Sequence, residues 1–208
     1  MTHDHDHPRE PITSNGEPPA ASRVRALEAL LVEKGVISKE DVRRQVDWLV
    51  SRSPGDGARI VARAWVDPDF KERLLTNARA AALELGLDPG PSPVVEAVEN
   101  TEEVHNMVVC TLCSCYPRAL LGPPPDWYKS SPYRSRAVAD PRGVLHEFGL
   151  DLDDEVEVHV YDSTADIRYL VIPRRPEGTE SMTEDELAAL ITRDSMIGVA
   201  QPLAPATT

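Results

Sequence analysis

An α+β chain is expected, with a helical N-terminal arm at residues 22–88 and a layered α/β domain at 89–208 that carries a short loop of cysteines. Three observations lead there. Apolar residues recur at three- and four-residue spacing from Ser22 to Gly86. A hard break, Asp88-Pro89-Gly90-Pro91-Ser92-Pro93, ends that pattern and is the best boundary in the chain. Beyond it, short alternating or β-branched runs replace helical periodicity.

Residues 1–21 are polar and rich in proline, and a solvated, disordered tail is expected despite the alternating His3, His5 and His7. Val24, Leu27, Leu30 and Leu31 then mark a first helix, and Gly35 is placed to stop it. Ser38 starts a second, with Asp41 three residues on as a capping partner and Val42, Val46, Leu49 and Val50 as its stripe. Ser53 to Gly57 reads as a turn, Ala58 to Val66 as a third helix. Asp67-Pro68 opens a fourth that should run through Leu74, Leu75, Ala78 and Ala82 to Gly86. Strands are expected at Val94–Val98, Val104–Val109, Glu155–Tyr161 and Ile167–Ile172. Pro117 to Arg142 should be short helices and loops, and Thr183 caps a last helix, Glu184 to Thr192.

The chain has 208 residues, with 22 Lys+Arg against 35 Asp+Glu and a net charge of -13. That surplus argues against nucleic acid or an anionic membrane as partner, since both demand the opposite sign. Aromatic residues are only 5%, too few for a base-stacking platform. No run of 18 apolar residues occurs, and the first residues lack the basic and apolar regions of a signal peptide, so a cytoplasmic protein is expected.

All three cysteines lie within six residues, as Val109-Cys110-Thr111-Leu112-Cys113-Ser114-Cys115-Tyr116-Pro117. So tight and odd a set is not a disulfide framework. Thiolates at i, i+3 and i+5 on one turn can converge on a single ion, and the peptide nitrogens of Ser114 and Cys115 fall between them. Structural zinc and iron–sulfur clusters both prefer four ligands, which leaves a position here for backbone, water or substrate. Spacing alone leaves structural zinc, a redox thiol loop and a catalytic transition-metal site equally open. His105 precedes the loop on an expected strand and is read as a hydrogen-bonded structural histidine rather than a ligand.

The full cysteine string resembles the metal-binding motif of the nitrile hydratase alpha subunit. The resemblance extends over about residues 22–199, through Val98-Glu99-Asn100-Thr101, Pro124-Pro125-Asp126-Trp127-Tyr128-Lys129, Tyr133-Arg134-Ser135-Arg136, Asp162-Ser163-Thr164 with Arg168, and Thr192-Arg193-Asp194-Ser195-Met196-Ile197-Gly198. It implies that Cys110, Cys113 and Cys115, with the backbone nitrogens of Ser114 and Cys115, hold one low-spin trivalent metal with a sixth position open. It further implies oxidation of Cys113 to the sulfinic and Cys115 to the sulfenic form. Thr111, where iron members usually carry Ser, points to Co(III) over Fe(III).

The activity implied is hydration of a nitrile to its amide, R–C≡N + H₂O giving R–C(=O)NH₂, with Cys115 and Ser114 as the residues nearest the chemistry. The ion could polarise the nitrile or acidify water, and a sulfenate oxygen on Cys115 could serve as nucleophile or base. Partners implied are a beta subunit, whose arginines face the oxidised sulfurs, and an activator that loads the metal. Two departures stand out. Arg118 follows Tyr116-Pro117 where relatives often have Trp, so Tyr116 and Arg118 are expected to make a more polar pocket wall. Many relatives also place a Gln about twenty residues before the first cysteine, where this chain has only the Pro-rich break. The alternatives are a gamma-like subunit of thiocyanate hydrolase and a non-catalytic metal-binding protein.

Overall fold

The computed structural model describes residues 19–113 and 115–205. Two compact units divide between Trp48 and Leu49. The first contains α1 (Pro19–Glu33) and most of α2 (Lys39–Ser51). Ser38 caps α2 as expected: its Oγ accepts from the Asp41 N–H at 3.0 Å, and its own N–H donates back to the Asp41 carboxylate at 2.8 Å. Of the apolar stripe of α2, Val42 and Leu49 are half-buried. Val24, Leu27, Leu30 and Val46 are exposed, and α2 buries no residue.

The second unit opens with α3 (Pro54–Val66), α4 (Pro68–Thr76) and α5 (Ala78–Glu84). Two expectations need correction here. Pro54 to Gly57 is the first turn of α3 and not a separate turn: Ser53 is its N-cap, and proline suits a position whose N–H needs no partner. Gly57 is in addition buried against Leu120, Leu121 and Met196, where any side chain would collide. The expected fourth helix is two helices, because Asn77 leaves the helical conformation and caps α5 through its side-chain oxygen, which accepts from Ala80 N–H at 3.0 Å.

Four strands follow: β1 (Val94–Glu99), β2 (Val104–Val109), β3 (Glu157–Asp162) and β4 (Ile167–Ile172). They form two parallel pairs, β1 with β4 and β2 with β3, in registers that set Val98 beside Val171 and Val109 beside Asp162. Parallel neighbours need a long crossover. The segment between β2 and β3 supplies it with α6 (Arg118–Leu121), α7 (Asp126–Lys129), α8 (Ser131–Ala139) and α9 (Pro141–Glu147). The last described helices are α10 (Glu184–Leu190), begun by a complete capping box on Thr183, and α11 (Arg193–Ile197), where the sequence predicts a single helix through Thr192; Thr192 instead caps α11.

One core joins these elements. Ile60, Phe70 and Leu74 from the helices, Met107 and Val109 from β2, and Leu170 and Ile172 from β4 are all buried in it. The break at 88–93 thus marks the change from helix to strand, and the core runs across it. Gly198, which ends α11 at φ +88°, lies so close to β2 that a Cβ there would fall 1.9 Å from the Asn106 carbonyl oxygen. Its own carbonyl accepts from His105 Nε2–H at 2.7 Å.

Candidate metal centre

The cysteine loop leaves the carboxyl end of β2, next to the carboxyl end of its parallel neighbour β3. This is where open α/β sheets place ligand sites, because the diverging connections leave a crevice there. The ladder continues one step past β3, with Ser163 N–H donating to the Val109 carbonyl at 2.7 Å. Asp162, the last residue of β3, then grips the loop. Its two carboxylate oxygens accept from Thr111 N–H at 2.9 Å and from the Thr111 hydroxyl at 2.5 Å.

The three sulfurs converge. Sγ of Cys110 and Cys113 are 3.4 Å apart, those of Cys113 and Cys115 3.3 Å, and all three lie within 4.8 Å of one another. All are free thiols, graded from buried Cys110 through half-buried Cys115 to exposed Cys113. Such a set could hold a metal ion. With metal–sulfur bonds of about 2.3 Å, sulfurs at right angles would be about 3.3 Å apart and sulfurs at tetrahedral angles about 3.8 Å. Both short edges are therefore lengths that sulfurs sharing one ion can have.

Aromatic side chains of the crossover hold the backbone on either side. Tyr128 OH donates to the Cys115 carbonyl at 2.9 Å, and Tyr133 OH to the Val108 carbonyl at 2.7 Å. Their rings and those of Trp127 and Tyr116 pack at centroid distances of 4.8 to 5.9 Å. Burial raises the pKa of both hydroxyls, so they remain neutral donors.

Two guanidinium groups reach the loop region. Arg134 Nη1 donates to the Cys113 carbonyl at 3.4 Å. Arg168 Nη1 donates to the carbonyls of Thr164 and Ile167. The Cys115 thiol is pushed up to about 12, first by burial and then by its contact with Cys113, while the charge of Arg168 acts in the opposite direction. Crowded sulfurs resist ionising together. A bound cation inverts that preference, because a coordinating thiol is deprotonated.

Of the residues singled out from sequence, Cys110, Cys113 and Cys115 come together, and Ser114 lies outside the described residues. Tyr116 is buried, with its ring edge-on to Tyr128 and its hydroxyl without a partner among the described residues. Arg118 is exposed at the start of α6. His105 is structural as read: Nε2 is used by Gly198 and Nδ1 accepts from Asn100 Nδ2–H at 3.2 Å. Arg136 is engaged with Glu147 at 2.7 Å and Asp140 at 3.4 Å. Sequence reasoning assigned no part to Asp162, Tyr128 or Tyr133. Each stands in a segment that carried the family resemblance, and that was the available signal.

Fold and site together define an α+β protein with a three-cysteine cluster, fit for a metal ion, at the carboxyl end of a parallel strand pair. The family profile described as Nitrile hydratase, alpha chain matches residues 19–200, and the chain belongs to that family, one of hydro-lyase subunits. It is 54% identical to the low-molecular weight cobalt-containing nitrile hydratase subunit alpha of Rhodococcus rhodochrous, across 89% of this chain and 90% of that one. It is also 43% identical to the thiocyanate hydrolase subunit gamma of Thiobacillus thioparus, across 85% of this chain and 77% of that one. Among solved structures, recombinant thiocyanate hydrolase with partially modified cobalt centres superposes with a TM-score of 0.84 at 42% identity, covering 88% of this chain and 90% of that one.

Proposed function

We propose that this chain is the metal-bearing subunit of a cytoplasmic nitrile hydratase that converts a nitrile to its amide at a Co(III) centre with oxidised cysteine ligands. The convergence of three sulfurs on edges of 3.3 and 3.4 Å is the observation that carries the proposal. The match to a relative named as cobalt-containing supports the choice of metal. Cys110, Cys113 and Cys115 would hold the ion through sulfur, and Ser114 and Cys115 through backbone nitrogen. When bound, the ion supplies Lewis acidity beside an open position.

The protein's own part is to present that position. Asp162 and the tyrosine hydroxyls hold the backbone around the loop, at Thr111, Cys115 and Val108, while its sulfurs converge. Cys115, as a sulfenate, would offer an oxygen that acts as nucleophile toward the nitrile carbon or as base toward water. Cys115→Ser tests that role: if the variant retains its metal, turnover should fall by at least about 100-fold, the lower range for a positioned acid–base or nucleophilic group. Undiminished turnover would remove Cys115 from the chemistry. Leu112, 84% exposed beside the cysteines, suits burial by a beta subunit.

Thiocyanate hydrolase is the second reading, favoured by the structural match above and by Arg118, a cation suited to an anionic substrate. An assay of amide release from nitriles against carbonyl sulfide release from thiocyanate separates the two. Amide formation alone is expected, and carbonyl sulfide as the main product would reverse the assignment.

A further inference from the structure

Arg134 is an arginine that bonds the backbone of the cysteine loop itself. Arg136, two residues on, is occupied by Glu147 and Asp140, and Arg168 by two carbonyls. Arg134 touches the Cys113 carbonyl through Nη1, while its Nε is buried without an acceptor among the described residues. A buried guanidinium donor left open is uncommon, since removal from water is tolerated only where an acceptor or counter-charge compensates. The contact is also placed meaningfully. The Cys113 carbonyl belongs to the peptide unit that joins Cys113 to Ser114, and the nitrogen of that unit is one of the ligands proposed above. A cationic donor on a peptide oxygen stabilises negative charge spread over the whole unit.

We infer that Arg134 is a counter-charge within this chain for the metal-loaded loop, beside Arg168, and a positioning residue that favours the loaded state through the Cys113 peptide. The inference rests on the proposed metal centre. Arg134 is fixed for this task by its neighbour: Tyr133, buried and bonded to the Val108 carbonyl, anchors this part of α8 beside the loop. Arg134 thus meets the loop from the crossover while Asp162 meets it from β3, and the two contacts fall on Cys113 and Thr111.

The test compares Arg134→Gln and Arg134→Lys with the parent chain, each produced in cobalt-supplemented cells together with its partner subunit. Cobalt per chain, resistance to a competing chelator and the sulfur-to-metal charge-transfer band are measured, with circular dichroism to verify the fold. Arg134→Gln should lose cobalt to chelator at least about tenfold more readily and shift the band, as other supports of metal ligands do when removed. Arg134→Lys, which keeps the charge, should stay within about threefold of the parent by the same measure. A glutamine variant with the parent's chelator resistance and band would overturn the inference. So would a lysine variant as impaired as glutamine is expected to be, and this outcome decides the matter if the glutamine variant does not fold. A parent chain with no cobalt on the cysteine peptide would instead overturn the metal centre itself.

Discussion

The Asp162 carboxylate is the smallest unit on which the site depends. It accepts from both the Thr111 amide and the Thr111 hydroxyl, and so tethers the loop where it leaves β2. Asp162→Ala should lower cobalt affinity about tenfold, the low end for supports of metal ligands, because Asp162 holds Thr111 and not a ligand itself. Equilibrium competition with a chelator measures it, and parent-like affinity would show that the cysteines converge without the aspartate. The cysteines themselves were legible from spacing because all three share one turn. Asp162 was not: it stands 51 residues from Thr111 in sequence, and only the register Val109↔Asp162 brings it to the loop. A side chain acting across a parallel ladder leaves no local spacing to detect.

At the scale of elements, legibility followed the physics of each signal. Strands β2 and β4, buried or half-buried along their whole length, were readable as short apolar runs, β1 from its valines although it buries only alternate residues, and β3 because its Val158 and Val160 alternate with polar residues. The division at Asn77 was missed because Leu74, Leu75, Ala78 and Ala82 keep a helical period on both sides of a residue that is itself a helix start. Pro54 to Gly57 has turn composition, yet Ser53 and Pro54 form a helix entrance, and composition does not separate the two. At Gly198, which caps α11, the chain lies tight against β2. Gly198→Ala combines a disfavoured positive φ with a collision on backbone, and should cost about 3 kcal/mol or more. For a chain of this size that is a fall in Tm of roughly 6–12 °C. Thermal unfolding by circular dichroism checks it, and an unchanged Tm would show that the α11–β2 approach is readily relaxed.

For the whole molecule, His105 links fold stability to pH. Burial lowers its pKa from the ordinary 6.5, outweighing the raising effect of its bond to Gly198. The unfolded chain therefore binds the proton more readily than the folded one. Stability is full above the ordinary histidine value and is lost as pH falls below it toward the depressed folded value. Titrating Tm between about pH 7 and about pH 5 should show a steeper decline for the parent than for His105→Gln, and equal slopes would place the acid sensitivity elsewhere. Among the described residues no helix is long and apolar enough to cross a membrane. The proposed activity turns on one centre. The most direct measurement is metal analysis of the mature protein combined with the mass of the peptide holding Cys110, Cys113 and Cys115. One cobalt per chain is predicted, with a gain of about three oxygen atoms shared between Cys113 and Cys115. Zinc in a tetrahedral sulfur site, or unmodified thiols with no ion, would contradict the assignment.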